Sequence, residues 1–477
     1  MYISLFVDVE DCGTPASDDV AGDVAEILSD RGLVANLMVV GDKARILERR
    51  GRHDVIAALR RHEVGLHSDR HSRHPTVAEY LEDKRWHDGI AEAIRREGPG
   101  VPVLERVFGK RPTCWGQPGG SWGPQVHPAV RGLGIPAVVY PETCTPRSDV
   151  HWYGGTLTFG YRHVFGGFDT LYSDDEPFQR HFKAFQATVD EYLEQDLPWM
   201  GLFLGHPIYI RAYEFGDVLN LRHGQETPLE RWRQPPLKPE DEYRTALRNL
   251  DTLVGYVAAH PRLEAITVGM LSQQVGRAAD RVSPDDLRDY AAAASGGRDL
   301  PTDDPRVSPA EAVDVLARAI LARREGLQPR SLPLRHVDGP TATPQGEESE
   351  IAVSWGAFCD RCAQVESFID RTGGLPAEVE WGETRAGIGS FYRAACEVYS
   401  VLSPRQVPSE IVLRPGPQIP AIADAIAQGT ERGYRGWVIH KRDLNVRDLL
   451  ELTRLQTWTL KPATFKRHAK SGTTRGE

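Results

Sequence analysis

Gly65-Leu66-His67-Ser68-Asp69-Arg70-His71 is the stretch on which the reading of this chain turns. The residues just before His67, 63–66, form a short strand-like run, so the histidines follow a strand instead of sitting in mid-helix. Two histidines four apart can share one face of a helical turn and converge on one cation. Neutral imidazole suits zinc, and also cobalt, nickel or iron. A lone H-x-x-x-H pair is weak evidence, but a second cluster adds to it. Asp8-Val9-Glu10-Asp11 closes an apolar, β-rich run at 2–9. Acids at the end of one strand and histidines at the end of another suggest a shared metal site.

Working outward, helices are expected at 19–31, 53–61, 76–97 and 242–259, the first with Val20, Val24, Ile27 and Leu28 on one face. Further strands are expected at 33–40, 137–140, 200–204 and 263–267. Strands alternating with helices argue α/β layers or a barrel. Functional residues at several strand ends fit a barrel mouth. Residues 293–307 then have linker composition, Ser-Gly-Gly followed by Asp-Leu-Pro-Thr-Asp-Asp-Pro. Beyond it, helices at 308–324, 355–371, 388–401 and 419–432 alternate with Pro-led extended pieces at 331–337, 375–381 and 407–413. This texture reads as a weak internal repeat, interrupted by a polar linker at 338–350. The resulting division is a barrel over 1–277, a linker over 278–307 and a smaller, mainly helical domain with short strands over 308–477.

Composition bounds the function. The chain has 477 residues, 40% hydrophobic and 26% charged, as in globular proteins generally. Its net charge of −10 argues against coating nucleic acid or an anionic membrane. No apolar run is long enough to span a bilayer. The N-terminal run lacks a basic leader and is too short for a signal core, so a cytoplasmic location is expected. Six cysteines, Cys12, Cys114, Cys144, Cys359, Cys362 and Cys396, are too sparse for a disulfide framework. Cys359 and Cys362, in a helical stretch, read as small core residues. The basic tail at 461–473 reads as a solvated, frayed end.

The order of motifs resembles the polysaccharide deacetylase (NodB-homology) family over about 1–277. The acidic strand end is followed by His67-Ser68-Asp69-Arg70-His71, then Lys110-Arg111-Pro112, then Leu202-Phe203-Leu204-Gly205-His206. The resemblance implies a distorted (β/α) barrel and hydrolysis of acyl groups, mostly N-acetyl amides, from carbohydrates. It makes Asp8 the general base, His206 the general acid and Arg111 the residue that orients the base. His67 and His71 become metal ligands, completed by Glu10 or Asp11, around a divalent ion, zinc before cobalt, nickel or iron. The chemistry is coherent: an amide carbonyl needs polarising, a water must lose a proton and the leaving amine must gain one. Base and acid are expected on opposite flanks of the metal site, with His206 within reach of the His67–His71 pair through at most one water.

The sequence departs from the family pattern in three places. Asp-Val-Glu-Asp replaces an adjacent acid pair. Arg111-Pro112-Thr113-Cys114-Trp115-Gly116-Gln117-Pro118-Gly119-Gly120 replaces the usual third motif. Asp149 and Trp152 match the Asp-Trp motif only loosely. Trp115, Trp122 and Tyr140 are candidate substrate-binding residues, with Trp152 and Tyr209 beside them, because sugar C–H faces stack on aromatic rings. His74 lies close to the histidine pair. Residues 363–394 faintly resemble pseudomurein-binding repeats, which would imply a glycan-binding or partner-docking module. The expected substrate is a carbohydrate or small molecule. The alternatives are hydrolysis of a non-carbohydrate C–N bond, or an inactive glycan-binding barrel.

Overall fold

The computed structural model describes residues 1–141, 150–275, 280–345, 350–402 and 407–465. The main strands in chain order are β1 (Tyr2–Val9), β2 (Asn36–Val39), β3 (Glu63–Leu66), β4 (Cys114–Gly116), β5 (Ala137–Val139), β6 (Val150–Tyr153), β7 (Thr156–Phe159), β8 (Val164–Phe165), β9 (Trp199–Gly205) and β10 (Glu264–Ala265). Every residue of β1 is buried. A strand covered on both faces is an almost continuous apolar run and belongs in the middle of a parallel sheet. β1 accordingly pairs in parallel with β2 through Phe6–Val9 and with β9 from Tyr2 onward. The sheet runs β6-β7-β5-β4-β3-β2-β1-β9-β8, with β10 on the N-terminal half of β1. It curls into the distorted (β/α) barrel expected from the sequence.

The two faces of the sheet follow period-two alternation. Ile3, Leu5, Val7 and Val9 join Met200, Leu202 and Leu204 against the outer helices, among them Ala16–Asp30 and Glu240–Ala259. Tyr2, Phe6, Cys114, Val139, Trp199 and Phe203 pack on the inner face. Polar groups in this core are satisfied: Ser4 Oγ donates to Ile266 O at 2.9 Å, and Asn36 Nδ2 donates to Leu5 O at 2.9 Å. An unpaired buried donor would cost about 1–3 kcal/mol.

Several expected elements differ. The helix expected at 76–97 is two, Val77–Leu81 and Trp86–Glu97, and Trp86 at the start of the second is buried and donates to Asp338. Helices Gly41–Arg49, Gly100–Phe108 and Asp175–Glu194 were not anticipated. Within the stretch read as linker, Pro284–Ser295 is a helix. It buries Leu287, Tyr290 and Ala291 in a second core with helices Pro309–Arg324, Trp355–Thr372 and Ile388–Val401. Cys359, Cys362 and Cys396 are buried in that core; Cys144 lies outside the described residues. Among the described residues the repeat texture produces no stacked array. The strands following these helices pair in separate two-stranded units, such as Ile351–Ser354 with Glu410–Leu413 and Glu378–Trp381 with Thr384–Gly387.

The chain then returns to the barrel. Helices Ala423–Gly436 and Arg447–Gln456 place Ile426, Tyr434 and Leu449 in the barrel's own core. Lys461–Pro462 adds an antiparallel strand to β6. Buried Lys461 also meets Glu311 at 2.7 Å, tying the barrel to the second core. Among the described residues no helix is long and apolar enough to cross a membrane.

Candidate active site

Parallel strands release their functional residues at their C-terminal ends. β1 delivers Asp8 and, one residue past its end, Glu10; β3 leads into His67; β4 into Gln117; β5 into Tyr140; β9 through Gly205 into His206. The loop after β3 is not the helical turn that the four-residue spacing allowed. His71 is brought round by two left-handed residues, Ser68 at φ 59° and His71 itself at φ 47°. Tyr140 is also left-handed, at φ 80°. Strained backbone of this kind persists only where its surroundings fix it. Here the fixing group is Glu97, buried and accepting from Ser68 Oγ at 3.0 Å and Asp69 N at 3.1 Å.

At the centre, Glu10 Oε2 lies 2.8 Å from His67 Nε2 and 2.9 Å from His71 Nε2. All three residues are buried, and one ligand atom from each lies within 4.8 Å of the others. His67 Nδ1 faces Gly116 O at 3.2 Å, so it must carry a proton. Its Nε2 then needs either a second proton or a cation to face a carboxylate. His71 Nδ1 contacts Ser72 Oγ at 2.6 Å, while its Nε2 is buried and turned to Glu10. Two imidazoles with outer nitrogens held and inner nitrogens converging on a carboxylate fit a divalent metal.

Asp8 Oδ1 accepts from Tyr140 OH at 2.9 Å, and Oδ2 lies 3.5 Å from His67 Nε2. His206 Nε2 stands 3.7 Å from Asp8 Oδ2 and 3.6 Å from Glu10 Oε1. Base and acid candidates are thus in contact, closer than opposite flanks would place them. Asp169 holds His206 from behind, accepting from His206 N at 2.7 Å and meeting Nδ1 at 3.0 Å. Gly205 makes this grip possible: its φ is 103°, and a Cβ there would lie 2.1 Å from Asp169 Oδ1.

The charges are strongly coupled. Burial pushes the Asp8 carboxyl above its usual range, with His67 and His206 pulling the other way. Burial also opposes ionisation of Glu10, but His71, His206 and the hydrogen bond from His67 hold it well below that range. Burial disfavours the His206 imidazolium, yet Asp169 and Glu10 lift it to about 10. His71 behaves alike: burial lowers it, and Glu10 and Asp217 raise it to about 10.

Four sequence expectations need correcting. Asp11 does not reach the centre; its carboxylate accepts from Thr14 N at 2.8 Å and from Ser17 Oγ at 3.2 Å, pinning the turn into the first helix. Arg111 precedes β4 and so lies at the N-terminal edge of the sheet, where it is half exposed and donates to Leu133 O. Tyr140 contacts Asp8 in its stead. Trp115 has the outward parity of β4 and is fully buried, donating to Glu97 at 3.0 Å. Trp122 is buried edge-on to His127, below Tyr434. Tyr140 and Tyr209 do line the cavity above Glu10. Trp152 lies in β6 opposite Lys461, and Asp149 falls outside the described residues. His74 is structural, bridging Glu79 and Leu221 O. Asp169, Asp217, Tyr161, Phe215, Gln117 and Trp437 also stand at the site, and no periodic or motif signal in the sequence marks them.

No protein-family model and no curated protein matches the chain. Solved structures similar to it include a Mycobacterium smegmatis protein named as a polysaccharide deacetylase, at 14% identity over 57% of this chain and 87% of that one, TM-score 0.36. An allantoinase aligns at 13% identity over 56% of this chain and 87% of that one, TM-score 0.35. A family 4 carbohydrate esterase from Streptomyces lividans, in complex with acetate, aligns at 12% identity over 56% and 92%, TM-score 0.30.

Proposed function

We propose that this protein is a metal-dependent hydrolase that removes an acyl group, an N-acetyl group first, from a carbohydrate or sugar-containing small molecule. The observation that carries this is the convergence of His67 Nε2, His71 Nε2 and Glu10 Oε2, with the outer nitrogens of both rings already held. These three residues would hold the ion, with zinc the first choice for two imidazoles and a carboxylate. When bound, a divalent metal polarises the acyl carbonyl and acidifies a water.

The chain's own residues do the rest. Tyr140 fixes Asp8 through Oδ1 and leaves Oδ2 to take the proton of the attacking water. Asp169 fixes His206 through its backbone N and Nδ1, leaving Nε2 to protonate the departing nitrogen. Asp8 and His206 must part to admit an acyl carbon between them, since they stand 3.7 Å apart. Catalytic contacts commonly reach their working geometry only with substrate present.

The test is metal analysis of the purified chain together with deacetylation of a panel of N-acetyl sugars and small amides. Chelation should abolish turnover and zinc or cobalt restore it. Full activity in a His67→Ala, His71→Ala double variant would refute the reading. A second reading, hydrolysis of a small non-carbohydrate amide at the same site, is favoured by the modest cavity of about 340 Å³ above Glu10. The same panel separates the two.

A further inference from the structure

The cavity above Glu10 has one wall that does not come from the barrel. After Tyr434 the returning chain lays Trp437 and Ile439 along it. Trp437 meets His71 edge-on, ring centroids 5.7 Å apart. On the other side it presses on the loop after β4. A Cβ on Gly119 would lie 2.3 Å from the Trp437 ring, and one on Gly120 would lie 2.1 Å from Gly433 O. The Gly119-Gly120 pair that departs from the family pattern is therefore what lets this segment dock. Without the segment, Gly119, Gly120 and the His71 side of the cavity would face solvent.

The segment is anchored where it bends. Glu79 Oε1 accepts from Lys441 N at 2.7 Å, and Glu82 takes both the Lys441 ammonium and Asn445 N. Inside the cavity, Gln117 is mostly buried; its Nε2 donates to Gly119 O at 2.7 Å, which leaves Oε1 buried with no partner. An unsatisfied buried acceptor in a cavity wall calls for a donor on a ligand. The opposite wall is aromatic, with Tyr140 and Tyr161 paired at 5.2 Å. The cavity volume, about 340 Å³, lies at the small end of the roughly 300–1,000 Å³ of small-molecule sites.

We propose that the returning segment is a built-in wall of the active site, with Trp437 as the stacking face and Gln117 Oε1 as the acceptor for a substrate N–H or O–H. The substrate is then one small acylated unit, free or at a chain end, and not the interior of a polymer. This rests on the hydrolase reading above. Sugar rings and aryl amides both offer a face for Trp437 to stack on.

The experiment uses the full chain. N-acetylglucosamine and its linear pentamer report turnover, with product mapping by mass spectrometry. Acetohydroxamate and benzohydroxamate, titrated by visible absorption into the cobalt-loaded protein, report binding without turnover. Wild type should deacetylate the monosaccharide or only the pentamer's end. Trp437→Ala should raise KM and the benzohydroxamate Kd about tenfold, the worth of one aromatic contact. It should leave kcat and acetohydroxamate binding within about twofold. Trp437→Phe should restore most of the loss, and Gln117→Ala should raise KM alone, so the proposal stays open to refutation even if Trp437→Ala fails to fold. Deacetylation inside the pentamer, or benzohydroxamate binding indifferent to both Trp437→Ala and Gln117→Ala, overturns the wall. Failure to take up any metal overturns the wall and the hydrolase reading together. Cobalt uptake with the expected hydroxamate pattern but no sugar turnover upholds the wall and removes only the carbohydrate.

Discussion

Residues 67–72 and residues 434–441 line the same cavity but arrive by opposite routes. The first stretch places both histidines proposed as metal ligands within five residues, at the end of a buried strand, with Glu97 bracing the turn. The second reaches the cavity only by docking: its backbone bond to Glu79 joins residues 362 apart in sequence. The proposed chemistry is thus written locally, at strand ends, while the cavity's shape depends on tertiary packing. Mutations in the two stretches should therefore separate chemistry from recognition.

The largest effect is expected at Glu10. Glu10→Gln removes the one carboxylate shared by His67 and His71. Metal content should fall close to zero, with turnover reduced by at least the roughly 10²–10⁴-fold worth of a proton-transfer group. Asp11→Ala, one residue on, should keep its metal and instead lose about 1–3 kcal/mol of stability, because Thr14 N is left unpaired. Metal analysis and thermal melting of the two variants decide between these neighbours. Loss of metal in Asp11→Ala with Glu10→Gln still loaded would reverse the assignment.

Next come Asp8 and His206, on the same locally written framework. Asp8→Asn and His206→Ala should each lower kcat by roughly 10²–10⁴-fold. Metal content should fall less than in Glu10→Gln, since Asp8 and His206 share only the second possible ligand group while Glu10 belongs to both. Near-normal turnover in either variant would remove that residue from the proposed mechanism.

The contrast also explains what could be read beforehand. β1 was legible because all eight of its residues are buried, giving an apolar run with acids at its end. His67 and His206 are legible because each sits directly after a strand, and His71 because it stands four residues on from His67. Their supports are not. Asp169 lies 37 residues before His206, in a loop with no periodicity, and reaches it only because Gly205 takes a left-handed turn. Trp115 was misplaced although its parity was available: Cys114 and Gly116 face inward, so Trp115 must face out. The choice between Glu10 and Asp11 depended on which way the chain turned after Val9, a tertiary matter. Trp437 carried no local signal at all; the signal lay in Gly119 and Gly120, whose lack of side chains marks the docking partner.

A smaller effect, on the docked side, is a pH dependence at Glu79. Burial opposes its charge, but His74 and the backbone N–H groups of Lys441 and Thr76 outweigh this and bring it down to about 2. A carboxyl depressed in the folded state stabilises above its unfolded value, near 4.5, and loses that contribution as pH falls toward 2. His74, raised by Glu79 and Leu221 O against the effect of burial, works in the other sense, stabilising at low pH and losing its contribution as pH rises through its folded value. Acidification below about 4.5 should therefore loosen residues 434–441 through Glu79, seen as faster amide hydrogen exchange there than in β1. Glu79→Gln should flatten this acid response and loosen the segment at neutral pH. An unchanged exchange profile in the variant would mean that Glu82 alone holds the segment.

The smallest effect is expected where the family resemblance pointed to a catalytic role. Arg111→Ala should change kcat and KM by no more than about twofold, since exposed ion pairs are worth about 0–1 kcal/mol. A residue preceding a parallel strand lies at the sheet edge opposite the one where the strands deliver their functional groups. Arg111 accordingly faces Glu105 at 3.8 Å and Leu133 O, with no contact to Asp8. In the proposed mechanism the task of orienting Asp8 falls to Tyr140, whose hydroxyl donates to it from the end of β5. Tyr140→Phe should therefore lower kcat more than Arg111→Ala does, with its pH profile displaced because Asp8 loses the hydrogen bond that favours its ionised form. A large kcat loss in Arg111→Ala, with melting temperature and metal content unchanged, would show that the opposite edge of the sheet reaches the chemistry after all.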